Sequence, residues 1–269
     1  MPILLCLLVL LALAAPAQAA LLDFDGHRVP AGPYRRIVSL APSNTELLYA
    51  IGWGDRVVGV TDACDYPAQA RRKARVGSAE NLSVERVLAL SPDLVLGIPS
   101  KAPVYAQLGR MLRVPFVLLP SDDLESVAVN AEGLGEIVGP QGKRFAEKYR
   151  RQLAAIAPSR AHPKVFYMVW DRPLMSAGPR TFLDDLVRRS GGRNVVTAPG
   201  YAPFAQEALI ASDPDVIAFP DNLRPAAERL RARLKRARLV ALPADDVSRP
   251  GPRVITAIQQ AAKAFDRKP

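Results

Sequence analysis

Nucleophilic and metal chemistry have little to work with in this sequence. Its only histidines are His27 and His162, and its only cysteines are Cys6 and Cys64. A Ser–His–acid triad would need one of those histidines as its base, and His162 sits between Ala161 and Pro163, where the helical pattern breaks off. There is no Gly-x-Ser-x-Gly elbow, no Gly-rich phosphate loop with its Lys and no His-Glu-x-x-His. Cys64 is the one cysteine beyond the N-terminal apolar run, so an intrachain disulfide is not expected. One thiol and two distant histidines lack zinc-ligand spacing. Cys64 reads as a small buried or loop residue. No catalytic residue, no metal ligand and no resident cofactor is assigned. A chelatase-like or hydrolytic enzyme remains the competing class.

Binding asks for less: a cleft, an apolar lining and a few orienting polar groups. The candidates lie in loops that follow predicted strands. In the first half they are Pro42, Ser43 and Asn44, the run Ala63 to Tyr66, and Ser78 to Asn81 with Ala79. In the second half they are Trp170 to Leu174, Tyr201 to Phe204, and Asp245 to Arg253. Trp170, beside Asp171, Arg172 and Pro173, fills a core or forms a platform. Tyr201 and Phe204 stand in a Gly/Ala/Pro-rich stretch, where large aromatics suit a cleft better than a core. Asp245 and Arg249 form either a surface ion pair or a clamp on a polar ligand.

These loops need strands to hold them. Ile37 to Leu40 is a short apolar run of the kind that makes a buried strand, followed by Pro42–Asn44 as a turn and Thr45 to Ile51 as a helix. The order continues as strand (56–60), helix (83–90), strand (93–96), helix (102–111), strand (115–118) and helix (124–138). Such alternation predicts a parallel sheet flanked by helices, with ligands at the carboxyl edge. Gly139-Pro140 interrupts the pattern. A helix from 141 to 156 then carries Phe145, Tyr149, Leu153 and Ile156 on one side and charges on the other, as a connector would. The second half repeats the first, with strand 165–169 and helix 181–189. Glu85 and Glu207, Pro92 and Pro214, and Asp93 and Asp215 are each 122 positions apart (207 − 85, 214 − 92, 215 − 93). The expected fold is α/β, with two Rossmann-like lobes, parallel-sheet cores and a single long connecting helix. The expected segments are a leader (1–19), a first lobe (20–138), the connector (139–158) and a second lobe (159–269).

The leader rests on the apolar run Ile3 to Ala15 and on Ala17-Gln-Ala19, which suits cleavage before Ala20. It points to export. The net charge of +10 admits an acidic ligand, an anionic surface or nucleic acid. The densest basic stretch, Arg229 to Arg238, reads as a solvated helix with Leu230 and Leu234 inward. Nucleic-acid recognition would want interleaved aromatics or a known module, and neither is present.

The ordered motifs Ser39-Leu-Ala-Pro-Ser-Asn-Thr-Glu46, Val58-Gly-Val60, Asp65-Tyr-Pro67, Val76-Gly77, Ser83-Val-Glu85, Ser91-Pro-Asp-Leu-Val95 and Arg249-Pro-Gly-Pro-Arg253 resemble the cobalamin-binding proteins of bacterial ABC importers, within the class of iron-chelate, haem and corrinoid receptors. The resemblance covers nearly all of the chain beyond the leader. It implies a periplasmic, monomeric receptor that hands a small-molecule metal chelate, a cobalt corrinoid or an iron chelate, to an inner-membrane ABC permease. It implies that Asp245 and Arg249 touch the ligand. It also implies that Glu85 and Glu207 dock on permease arginines, although helix N-termini favour glutamates in any case. At positions aligned with the family's corrin-gripping aromatics this chain has Ala63, Ala79, Ile98, Val169 and Met175, and only Tyr201 stays aromatic. At about 0.5–1.5 kcal/mol per aromatic contact, that loss weakens corrinoid binding or signals haem or a ferric siderophore. For haem, Tyr66 and Tyr201 are the available ligands. A carboxylate-rich siderophore would suit Arg172 or Arg249.

Overall fold

A computed structural model describes residues 21–100, 102–234 and 236–267. The expected leader, residues 1–19, lies outside the described residues. The first half runs β1 (Ile37–Ser39), α1 (Pro42–Ala50), β2 (Val57–Val60), β3 (Ala74–Arg75), α2 (Val84–Ala89), β4 (Leu94–Gly97), α3 (Pro103–Met111), β5 (Phe116–Leu118), α4 (Glu125–Val138) and α5 (Gln141–Ala155). The second half runs β6 (Lys164–Trp170), β7 (Met175–Ala177), α6 (Phe182–Arg189), β8 (Arg193–Asn194), β9 (Tyr201–Pro203), α7 (Gln206–Ser212), β10 (Val216–Pro220), α8 (Arg224–Arg231), β11 (Arg238–Leu242), α9 (Ala244–Val247) and α10 (Val254–Phe265).

Two sheets result. The first is wholly parallel, in the order β3-β2-β1-β4-β5. The second has the same parallel heart, with β6 between β8 and β10 and β11 beyond. It departs from the expected all-parallel sheet in one arm, where β7 pairs antiparallel to β6 and β9 antiparallel to β7. The 122-residue offset has a structural basis. Asp93, ahead of β4, accepts from the main-chain N–H of Arg35 and Arg36 at the mouth of β1. Asp215, ahead of β10, accepts from Lys164 N at the mouth of β6. Ser91 and Asp213, also 122 apart, both adopt positive φ, 44° and 42°.

Side chains alternate between clusters as strand pleating requires. Ile37, Leu94, Leu96, Val165, Tyr167, Val216 and Ala218 enter one central core. Val38 and Val95 face an outer cluster on the first sheet, and Phe166, Met168, Ile217 and Phe219 an outer cluster on the second. The central core takes in residues of both sheets together with α4, α5, α6 and α10. The lobes are therefore packed on shared apolar material, which opposes wide hinge opening.

The chain passes from the first sheet to the second through α4 and α5, which fold back on each other at Gly139-Pro140. They approach closely enough that a Cβ on Gly142 would overlap the Ala131 carbonyl oxygen. Arg150 spans them with a bidentate pair to Glu132 at 2.5 and 2.9 Å and a bond to Glu125 at 2.6 Å. The basic stretch 229–238 is not one helix, because α8 ends at Arg231 and β11 begins at Arg238. Leu230 and Leu234 are nevertheless both buried.

The candidate ligand cleft

In the first lobe the carboxyl ends of β1, β2 and β4 point to one edge. Pro42–Asn44 is not a free turn there. It forms the opening turn of α1, with Pro42 at the position where a missing N–H costs nothing. Asn44 is 3% exposed and donates its side-chain amide to the Gly97 carbonyl at 2.8 Å. It thereby closes the gap between β1 and β4, the switch point where an open sheet often holds a ligand. Ser43 is buried as well. Asn44 and Ser43 thus support the edge from inside.

The loop after β2 is braced from behind. Arg75 donates to the carbonyls of Thr61 (2.7 Å) and Cys64 (3.0 Å), and Arg71 donates to the Asp65 carbonyl at 2.9 Å. Cys64 is fully buried beside the Thr61 hydroxyl. This bracing presents Ala63, Asp65 and Tyr66 outward, with Tyr66 47% exposed. Ala79 is exposed on the neighbouring loop.

The second lobe meets this edge through residues 244–253. Arg249 donates from Nη1 to Asp65 Oδ1 at 2.5 Å, lies 3.6 Å from Glu46 Oε1, and pairs through Nη2 with Asp245 at 3.2 Å. Arg253 grips Glu46 with two bonds, Nε to Oε2 at 2.9 Å and Nη2 to Oε1 at 2.7 Å. It also reaches Asp246 at 3.0 Å and lies over the Tyr66 ring at 4.3 Å. Gly251 fits against the backbone of Ser43. The Arg249 hydrogen bond holds the Asp65 carboxyl below the usual carboxylate range, while burial pushes Asp246 above it. Two guanidinia thus tie the lobes together at the cleft floor, held by four carboxylates.

Beside this floor lies a cavity of about 220 Å³. Tyr167, Val169, Leu183 and Tyr201 line it, with Val247, Ser248 and Pro250 from the same 244–253 segment. The Tyr167 hydroxyl is fully buried and has no hydrogen-bond partner among the described residues; burial pushes its phenol well above its ordinary pKa. Tyr201 is half exposed, and desolvation of its hydroxyl raises its pKa too. Asp245, Arg249, Asp65 and Tyr66 are therefore brought together around the floor, while Tyr201 lines the cavity with the residues that flank Arg249.

Other expected residues fall elsewhere. Phe204 packs on Phe166 with ring centroids 5.3 Å apart and belongs to the outer core of the second sheet. Arg172 lines a separate cavity with Asp171, Gln206, Arg229 and Arg233. Trp170 is 54% exposed, and its indole N–H donates to the Arg172 carbonyl. Glu85 and Glu207 are both exposed in the first turns of α2 and α7. Among the described residues no three His, Cys, Asp or Glu side chains converge as a metal site would need. Sequence reasoning assigned no role in the cleft to Glu46 and Tyr167, and held Arg253 only as the end of the candidate run Asp245 to Arg253. A charged Glu46 set directly before Leu47 and Leu48, on a helix meant for the core, was the available signal, since a buried carboxylate demands a partner.

A model of the family described as periplasmic binding protein matches residues 37–242. The vitamin B12-binding protein of Vibrio vulnificus (strain CMCP6) is 31% identical over 252 residues, which cover 87% of this chain and 91% of that protein. A solved periplasmic vitamin B12-binding protein of Vibrio cholerae is similar at a TM-score of 0.75 and 26% identity, over 88% of this chain and 99% of that one. A periplasmic haem-binding protein of Pseudomonas aeruginosa is similar at a TM-score of 0.74 and 30% identity, over 87% of this chain and 93% of that one.

Proposed function

We propose that this chain, which belongs to the periplasmic binding protein family, captures a metal chelate between its lobes and delivers it to an ABC importer, with cobalamin or a related corrinoid as the first choice of ligand. The observation that carries the reading is the meeting of the two sheet edges through Arg249 and Arg253, with Tyr66 exposed over Arg253 and Tyr201 exposed at a small cavity formed with the 247–250 segment. Exposed aromatic rings offer a flat apolar ring area and stacking. The carboxylates of the floor offer polar anchors. No bond need be made or broken. The shared core fits a pocket that is largely preformed.

A second reading is haem. It draws on the similarity to the Pseudomonas aeruginosa haem-binding protein and on Tyr66, an exposed phenol at the cleft rim able to reach a metal. The aligned alanines 63 and 79 leave room for either ring. Export by cleavage of the leader, a monomeric state and the lobe limits 20–138 and 159–269 around a connector at 139–158 belong to the same proposal.

Docking on the permease falls to Glu85 and Glu207. Each is exposed at a helix start, one per lobe. Glu85→Ala or Glu207→Ala is expected to weaken stimulation of the importer's ATPase by at least tenfold and to leave chelate affinity within twofold. A collapse of affinity in either variant would remove the docking role. The absorbance spectrum of protein purified from its native host tests the ligand class: a corrin band supports the first reading and a haem Soret band the second. Turnover of a chelate would favour an enzyme instead.

A further inference from the structure

Outside the cleft, one cavity of the second lobe gathers three guanidinium groups. It has a volume of about 220 Å³ and lies between the turn after β6, the start of α7 and the C-terminal part of α8. Arg172, Arg229 and Arg233 line it, and Asp171 is the one carboxylate among its lining residues. Asp171 lies 2.7 Å from Arg229 and 3.5 Å from Arg172. The Arg233 guanidinium donates to the neutral side-chain oxygen of Gln206 and meets no carboxylate among the described residues. Three cations against one anion leave two positive charges without a counterion. The side chains of Arg172 and Arg229 are 82% and 55% exposed, so this surplus faces solvent.

The cavity adjoins the docking glutamate. Gln206, which holds Arg233, directly precedes Glu207 in the first turn of α7. The 122-residue offset locates the same place on the first lobe, where Glu85 answers Glu207. Arg229 and Arg233 there fall on Gln107 and Met111 (229 − 107, 233 − 111). These two side chains are uncharged and contact each other. The cations of α2 and α3, Arg86 and Arg110, fall on Ala208 and Ala232 in the second lobe. The lobes therefore share the glutamate and differ in the charge beside it.

The neighbouring signs select the kind of partner. An anionic lipid surface would satisfy the arginines but meet Glu207 as a like charge. A protein surface that carries a cation for Glu207 and an acidic side chain next to it satisfies both. Guanidinium forks match a carboxylate with paired hydrogen bonds.

We propose that this cavity is a second docking contact of the C-terminal lobe, in which Arg229 and Arg233 receive an acidic side chain of the permease beside Glu207. This rests on the docking reading above and adds to it a contact of opposite sign that the first lobe lacks.

Stimulation of the importer's ATPase tests it, in nanodiscs of phosphatidylcholine alone. The titrants are the parent, Arg229→Gln with Arg233→Gln, and a charge-matched control, Arg144→Gln with Arg151→Gln, whose exposed arginines lie on α5. The cavity double variant is expected to raise the half-saturating concentration at least about tenfold, as loss of a desolvated charge pair does. Its chelate affinity should stay within about twofold and its Tm unchanged, because both side chains are exposed and Asp171 keeps Arg172. The control should dock like the parent. Docking of the cavity variant at the parent's concentration, or an equal loss in the control, overturns the inference. So does a loss seen only when phosphatidylglycerol is added to the discs, which would assign the cavity to lipid. Glu207→Ala, run alongside, separates the two readings. If it docks like the parent, the docking reading falls and this inference with it; if it is weakened while the cavity variant is not, this inference alone is overturned.

Discussion

Replacing Glu46 with Ala probes the joint between the lobes. The Glu46 side chain is 2% exposed and accepts two bonds from Arg253, at 2.9 and 2.7 Å. Breaking a buried ion pair by removing one partner costs 3–5 kcal/mol, because the other charge is left without its counterion. Here the cost falls at the low end, about 3 kcal/mol, since Arg253 keeps Asp246 at 3.0 Å and Arg249 keeps Asp65 at 2.5 Å. For a chain of this size that lowers Tm by roughly 6–12 °C. Equilibrium urea unfolding of Glu46→Ala, Arg253→Ala and the double variant measures it. The core-buried Trp53 and the exposed Trp170 provide a fluorescence signal from each lobe. The cycle should return a coupling energy of roughly 1.5–3 kcal/mol. Additive single effects, or a Glu46→Ala variant within about 0.5 kcal/mol of the parent, would show that the pair does not hold the lobes together.

Other perturbations test separate parts of the structure. Gly142→Ala drives a Cβ into the Ala131 carbonyl at the α4–α5 crossing, so thermal melts should show a loss of about 1–3 kcal/mol. Tyr167→Phe removes a buried hydroxyl that has no partner among the described residues; the ligand-free protein should melt at an equal or higher temperature. Asp65 titrates below its ordinary value in the folded state because of Arg249. Its stabilising contribution is therefore complete above the unfolded aspartate pKa of about 3.9 and is lost as pH falls through the lower folded value. Acid melts of Asp65→Asn should accordingly show a shallower loss of stability below about pH 4 than the parent.

How much of this could be read in advance depends on how local the cause is. Buried parallel strands announce themselves as continuous apolar runs, so Ile37–Ser39, Leu94–Gly97 and Val216–Pro220 were legible. The paired Asp93 and Asp215 were visible as a spacing, and their bonds to the mouths of β1 and β6 explain it. The antiparallel arm was not visible. Tyr201–Pro203 is three residues long, exposed and rich in turn-forming neighbours, and its pairing with β7 is a tertiary choice. Pro42–Asn44 read as a turn because Pro, Ser and Asn favour turns, yet the same residues favour the first turn of a helix. Phe204 sits in a loop-like stretch, but Phe166 captures it for the core. The Asp245–Arg249 pair was legible as an i, i+4 spacing, but the Glu46–Arg253 pair escaped because its members are 207 residues apart, and no periodicity reports a partner at that distance.

The central claim is that a metal chelate binds between the lobes, against Tyr201 and the 244–253 segment. Calorimetric titration of the protein and of its Tyr201→Ala and Val247→Trp variants with cyanocobalamin and haemin tests it most directly. The account predicts saturable one-to-one binding of one of these chelates, weakened at least tenfold in both variants. Binding unchanged by both substitutions, or no binding of either chelate, would contradict it.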